Sequence, residues 1–310
     1  MIFNSKKFNI IAGLTLILIA LIVGVSVVGV SLVEKDVVSQ VEGSTSGTEE
    51  WVTPDDNNGQ DVVAKDETKI EEAGLKKLTS YFSNSYQALM YSLQILENYN
   101  YSITSRQSVD AKVQIMGSDV GGVQKINKSI YHVDGRWYVK SVADGSNVPM
   151  GQGENYTEFS VVDNSNIVTK RVGGSSTSQS VSAYQSEFGI LPNVLPYVLN
   201  KNTVTLSSLK NNPDLSYYEI TATLKPKAWE AYLKSLAKNG GEGSNPKMSS
   251  IVLTLRIDKK YGTLESISAT EQYTINRMGM AANATSKISF NFTYCQDYSA
   301  NIAEIEKGLN

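Results

Sequence analysis

Residues 123–142 read VQKINKSIYHVDGRWYVKSV, and this stretch decides the fold. Beyond Asn100 the chain takes a two-residue period, the mark of a pleated strand. Residues 123–133 read as one long strand and residues 136–142 as its return. Between them stands Asp134-Gly135, a pair that tolerates the positive φ angles of a two-residue hairpin turn. Working outward, residues 101–107 and 111–116 read as two earlier strands, with Gly121-Gly122 a break before the long one. Residues 144–155, rich in Gly, Asn, Pro and Ser, read as an open loop. Residues 156–162 and 167–172 form a further pair around Asp163-Asn164. Every connection is too short for a parallel crossover, so this is an antiparallel meander.

The last third carries a second set of strands. Tyr218, Ile220, Ala222 and Leu224 alternate, as do Ile251, Leu253, Leu255 and Ile257. Residues 264–275 and 286–295 complete the set, with a turn over 259–262 and a soluble tail over 296–310. Pro226 suits a first helical turn, and Trp229, Tyr232, Leu233 and Leu236 mark the buried face of a helix over 226–239. Gly240-Gly241 stops it. A loop over 173–182 divides the two halves. Pro192 and Pro196 forbid one helix over 183–199 and leave two short helical turns, followed by a strand over 203–209. Before the meander, Ile70, Leu75, Leu78, Phe82, Tyr86, Leu89, Leu93 and Leu96 recur at mostly three- and four-residue steps. They predict one amphipathic helix over 67–98, with capping-box spacing at Thr68 and Glu71 and a soft point at Gly74.

The N-terminal part is of another kind. Residues 8–33 contain no charge, and 26 residues at 1.5 Å each exceed the ~30 Å hydrocarbon core of a bilayer. Lys6 and Lys7 precede this run, which predicts a single-pass anchor with residues 1–7 cytoplasmic and the bulk of the chain extracytoplasmic. A cleaved signal is the competing reading, but a signal core spans about 7–15 residues. Residues 34–65 hold few apolar side chains and most of the acidity, and read as a disordered tether. Residues 66–310 form the extracytoplasmic domain. The net charge of −3 speaks against nucleic acid as a partner.

Common catalytic and metal constellations are scarce in this composition. One histidine, His132, and one cysteine, Cys295, exclude His-pair and Cys-cluster metal sites and any internal disulfide. His132, near a strand end, reads as a half-exposed strand residue, and Cys295 as a small buried apolar one. The glycine-rich segments at 121–122, 151–153 and 240–243 lack the Lys-Ser/Thr of a phosphate loop and read as turns. No cofactor signature is present. A carboxylate pair, as in a cell-wall hydrolase, is the enzymatic alternative that the acids leave open.

The order of elements, with Gln124-Lys-Ile, Tyr131-His-Val-Asp-Gly-Arg-Trp-Tyr, Tyr218-Glu-Ile-Thr-Ala-Thr-Leu-Lys-Pro, Leu253-Thr-Leu-Arg-Ile-Asp and Phe290-Asn-Phe-Thr-Tyr, resembles the LolA/LolB/LppX-like superfamily and Gram-positive lipoprotein-like relatives. The resemblance spans about residues 67–295. It implies an α+β fold, a large curved antiparallel β-sheet wrapped around helices as a half-barrel, here preceded by one N-terminal transmembrane helix. It also implies an apolar cavity for a lipid or other envelope ligand. Trp137, Trp229, Tyr273, Phe290 and Phe292 are the candidates to line it, a filled core being the competing reading of the same aromatics. The chain departs from lipoprotein relatives in having no cysteine just after its apolar run. The expectation is a non-catalytic, membrane-anchored binding module. The alternative is a structural subunit of an envelope or secretion/conjugation assembly, VirB8-like with an NTF2-like outer domain.

Overall fold

A computed structural model describes residues 66–115, 118–145, 155–239, 244–277 and 280–310. The apolar run 8–33, the tether 34–65, most of the 144–155 loop and the Gly240-Gly241 stop lie outside the described residues. Among the described residues, no helix is long and apolar enough to cross a membrane.

The strands form one open antiparallel sheet of 11 strands. They are β1 (Tyr101–Ile115), β2 (Ser118–Val133), β3 (Arg136–Asp144), β4 (Tyr156–Val162), β5 (Asn166–Arg171), β6 (Thr177–Ser180), β7 (Val204–Leu206), β8 (Tyr217–Leu224), β9 (Asn245–Asp258), β10 (Leu264–Arg277) and β11 (Met280–Tyr294). Their order across the sheet is β6-β5-β4-β3-β2-β1-β11-β10-β9-β8-β7. The first meander therefore runs from the middle of the sheet to one edge. The second comes in from the opposite edge, and the two join along β1 and β11, where Tyr101 faces Tyr294 and Val113 faces Ala282.

This order has a consequence for residues 181–203. They connect β6 to β7, which lie at opposite edges, so they must cross a face of the sheet. The crossing starts as helix α3 (Val181–Phe188), capped by the Ser180 side chain, which accepts from the Ala183 N–H at 3.1 Å. Gly189, at φ +83°, ends it, and a Cβ there would sit 2.3 Å from the Ala231 carbonyl oxygen. Pro192 and Pro196 fall in the non-helical run that follows. The expected pair of helical turns is thus one helix and a strap of turns and bends, and the dividing loop over 173–182 contains strand β6 and the start of α3. The face beneath the strap is called the inner face below.

Helix α1 (Glu67–Glu72), helix α2 (Ser85–Asn98) and helix α4 (Glu230–Asn239) complete that layer. The single helix expected over 67–98 is two. Gly74 takes φ +87°, and the Leu78 N–H donates to the Lys260 carbonyl at 2.7 Å, tying the intervening segment to the β9–β10 turn. Asn84 caps α2, and Asp66 rather than Thr68 caps α1. Glu71 is drawn away from a capping box by the Tyr261 hydroxyl at 2.7 Å and the Lys77 ammonium at 2.8 Å. Tertiary partners outcompete the local pattern here.

The Asp134-Gly135 turn forms as expected, with φ of 50° and 76°. The two early strands are one, β1, and Gly121-Gly122 does not break β2. A Cβ at Gly121 would lie 2.4 Å from the Ala111 carbonyl oxygen, so glycine permits the close approach of the two strands. The inner face of β8–β10 is closed core: Tyr218, Ile220, Leu253, Leu255, Ile257 and Ile267 are fully buried.

The expected soluble tail is in part helix α5 (Ser299–Leu309), which packs on the outer face of the first meander. Its Ile305 meets Tyr138 and Phe159, with Ile302 and Leu309 beside them. Gly308 lies against the Phe159 ring, where a Cβ would stand 2.4 Å from Cδ2. Gly308→Leu is expected to cost about 1–3 kcal/mol locally. Hydrogen exchange should quicken over residues 299–309 and stay unchanged in β9; protection retained in α5 would show that the ring yields.

Candidate functional site

The inner face of the first meander is not filled like that of the second. Antiparallel register places residues of β11, β1, β2, β3, β4 and β5 in transverse rows. One row reads Phe290, Ser105, Lys128, Ser141, Glu158, Arg171. The row on one side reads Phe292, Ile103, Ile130, Val139, Ser160, and on the other Ile288, Gln107, Ile126, Ala143, Tyr156. A polar line therefore crosses an apolar floor.

Over this floor the strap and α4 leave a cleft. It is narrow: Ile126, Ile130, Ile288 and Phe290 beneath it and Phe188 and Leu191 above it are all buried, and it opens to solvent at its mouth. The roof is Tyr184 and Phe188 of α3, then Ile190, Leu191, Pro192, Val194 and Pro196 of the strap. Tyr232, Ser235 and Leu236 of α4 close one side, and Ile126, Ile130, Ile288 and Phe290 form the apolar floor. Ser105, Lys128, Ser141 and Glu158 open into the same space.

Burial sets the electrostatics. Desolvation pulls the Lys128 ammonium below its ordinary value, and the Glu158 carboxylate partly restores it. Glu158 is itself paired: its Oε2 accepts from Arg171 Nε at 3.1 Å, with the two side chains 15% and 26% exposed. The Arg171 guanidinium lies 4.2 Å from the centre of the Tyr156 ring. Burial, then the Glu158 charge, push the Tyr184 phenol up.

Behind α4 lies a second polar group. Glu271 of β10 is 0% exposed. It accepts from the Tyr197 hydroxyl at 2.5 Å and the Tyr232 hydroxyl at 3.2 Å, and Ser286 also bonds to it. Desolvation outweighs these bonds and pushes the carboxyl up to about 7. Tyr197 belongs to the strap and Tyr232 to α4, so one buried carboxyl ties both covering elements to the sheet.

Of the five aromatics proposed from sequence, Phe290 lines the cleft. Phe292, Tyr273 and Trp229 are buried in the main core. Trp137 stacks on His132, with ring centres 4.6 Å apart, and its Nε1–H donates to the Tyr101 hydroxyl at 3.3 Å. His132 Nδ1 lies 3.2 Å from the Tyr99 carbonyl oxygen, and burial holds the imidazole below its ordinary value. Cys295, half-buried at φ +57°, has its thiol pushed up by burial. Among the described residues no three His, Cys, Asp or Glu side chains gather to hold a metal ion.

Ser105, Lys128, Ser141, Glu158 and Glu271 are missing from the sequence-based candidates. Their signal was present: Lys128 stands two residues from both Ile126 and Ile130, and Glu271 two from both Ala269 and Tyr273. Each puts a polar group on an apolar face.

No family model matches the chain, and no curated protein does. Among solved structures, the chain is similar to ywiB from Bacillus subtilis (10% identity, TM-score 0.19), over 61% of this chain and 92% of that one. It is also similar to a DUF1329 family protein from Desulfovibrio piger (12%, TM-score 0.24), over 67% and 91%. A third is Neisserial surface protein A (6%, TM-score 0.19), over 62% and 96%.

Proposed function

We propose that this chain is a non-catalytic binding module of the cell envelope that holds a lipid or other apolar ligand in the cleft beneath the strap. The observation that carries the reading is the cleft itself, with a largely apolar floor and an apolar roof over the first meander. In this reading the sheet is a LolA-like half-barrel, and residues 8–33 anchor the chain in the membrane with its N-terminus cytoplasmic. Glu158 and Glu271 support a non-catalytic role. One is paired with arginine, and the other lies five strands away, well over the ~5–9.5 Å of a hydrolytic carboxylate pair at ~4.8 Å per strand. A structural subunit would present a contiguous exposed apolar patch. Among the described residues the exposed large apolar side chains are Tyr81, Met90, Val172, Leu215 and Val252, on separate elements, and Val194 and Val198, which are neighbours on the strap at the cleft.

The full chain in membranes, exposed to a long-chain alcohol bearing a photoactivatable diazirine, tests this. Labelled peptides should include residues 184–196 and 126–130. Labelling confined to residues 8–33 with this probe and with its anionic counterparts would overturn the reading.

A further inference from the structure

We infer that the cleft is built for an amphiphile with one anionic headgroup, a carboxylate or a phosphate, which Ser105, Lys128 and Ser141 hold while its chain lies between Phe290 and the strap. The inference rests on the cleft being the binding site, and concerns what enters it.

Three observations carry it. First, the three side chains face one another across adjacent strands: Ser105 is opposite Lys128, and Lys128 opposite Ser141. Each serine is so paired with Lys128, at a Cβ separation of about 4.5–5.5 Å, while the two serines flank it about 9–10 Å apart, so a headgroup held by the central ammonium can take a hydroxyl on either side through different oxygens. Second, none of the three makes a side-chain hydrogen bond or an ion pair with another described residue, although Ser105 and Ser141 are buried. All three line the cleft, so their donors can turn to an acceptor that enters it. Third, the charge does not cancel. Lys128 and Arg171 against Glu158 leave one positive charge on this row, and Glu158 is already bonded to Arg171. One bound anion would neutralise that charge and lessen the cost of holding an ammonium over an apolar floor.

The flanking rows say what the rest of the ligand is. Ile130 and Ile126 lie two residues either side of Lys128, and Phe188 and Leu191 close over them. The headgroup site is one row deep in apolar walls. That suits a single charged group on a hydrocarbon chain and does not suit an acidic peptide, whose backbone would leave polar groups unpaired against the roof.

The test uses the full chain in membranes with three diazirine probes of one chain length: a fatty acid, the matching lysophosphatidic acid and the matching alcohol. At least one anionic probe should label residues 184–196 about tenfold more than the alcohol, the size expected for a charge-assisted bond. Which of the two anions does so identifies carboxylate or phosphate as the natural headgroup. Lys128→Met should reduce anionic labelling to the level of the alcohol measured on the same variant, and Lys128→Arg should restore most of it. Ser105→Ala and Ser141→Ala, milder changes that retain the core, should each reduce it about threefold. Equal labelling by acid and alcohol, or anionic labelling that survives Lys128→Met, overturns the headgroup assignment and leaves the apolar-ligand reading standing. No labelling of the cleft by any of the three probes overturns both.

Discussion

Glu271→Gln is expected to make this protein more stable at pH 8 and to remove a loss of stability that the wild type suffers between about pH 4.5 and pH 7. The carboxyl is raised from its ordinary 4.5 to about 7 by burial. The folded state therefore keeps a proton that the unfolded chain has released. Stability is full below pH 4.5, where both states are protonated, and falls as pH rises, until the folded carboxyl also ionises near 7. A displacement of that size corresponds to about 3 kcal/mol. The direction is opposite to that of Asp163 and Asp297, whose carboxyls backbone N–H groups hold below their ordinary range. Those groups contribute stability above their unfolded pKa and lose it on the acid side, outside this window. Glutamine keeps an acceptor for Tyr197 and, with its amide, a donor for the Tyr232 oxygen. Urea unfolding of both proteins from pH 4 to 9 reads the difference. A difference between them that stays constant across the range would mean that Glu271 does not titrate there. Because Tyr197 and Tyr232 belong to the strap and to α4, amide protection in residues 190–199, taken relative to the intrinsic exchange rate at each pH, should also fall above pH 7 in the wild type alone.

Trp229→Ala is expected to lower stability by about 3–5 kcal/mol, the cost of emptying a buried aromatic site. Trp229 is 5% exposed, at the entry to α4 among core residues, and does not reach the cleft. Pulse proteolysis in urea measures the loss. Under native conditions the variant should still take up the diazirine probe over residues 184–196. A loss below about 1 kcal/mol with labelling abolished would instead make Trp229 a ligand contact.

Much of this fold is legible residue by residue. The hairpin at Asp134-Gly135 is written in two adjacent residues whose backbone angles the turn requires. The buried strand faces follow from alternation, as in Ile251, Leu253, Leu255 and Ile257, all fully buried. The site was less legible, because choosing large aromatics as cavity candidates selects equally for core. Phe290 and Phe292 differ by two residues and share a face, yet one lines the cleft and the other does not. Where the strap passes overhead separates them, and no local pattern records that.

The sequence alone determined where most of the long strands lie, how the clearest of them alternate and where the Asp134-Gly135 turn falls. These depend on backbone preference and on apolar side chains avoiding water, both expressed within a few residues. The tertiary structure decided the rest. It interrupted the helix over 67–98 by tying it to the β9–β10 turn, and it gave residues 299–309 a sheet face to cover. It aligned Ser105, Lys128 and Ser141 across three strands and sent residues 181–203 over them because β6 and β7 ended at opposite edges. It also closed α4 and the strap around Glu271 and so held its proton. Each of these follows from pairing between segments far apart in the chain, β1 with β11 above all, and from the low dielectric that exists only once those segments have met.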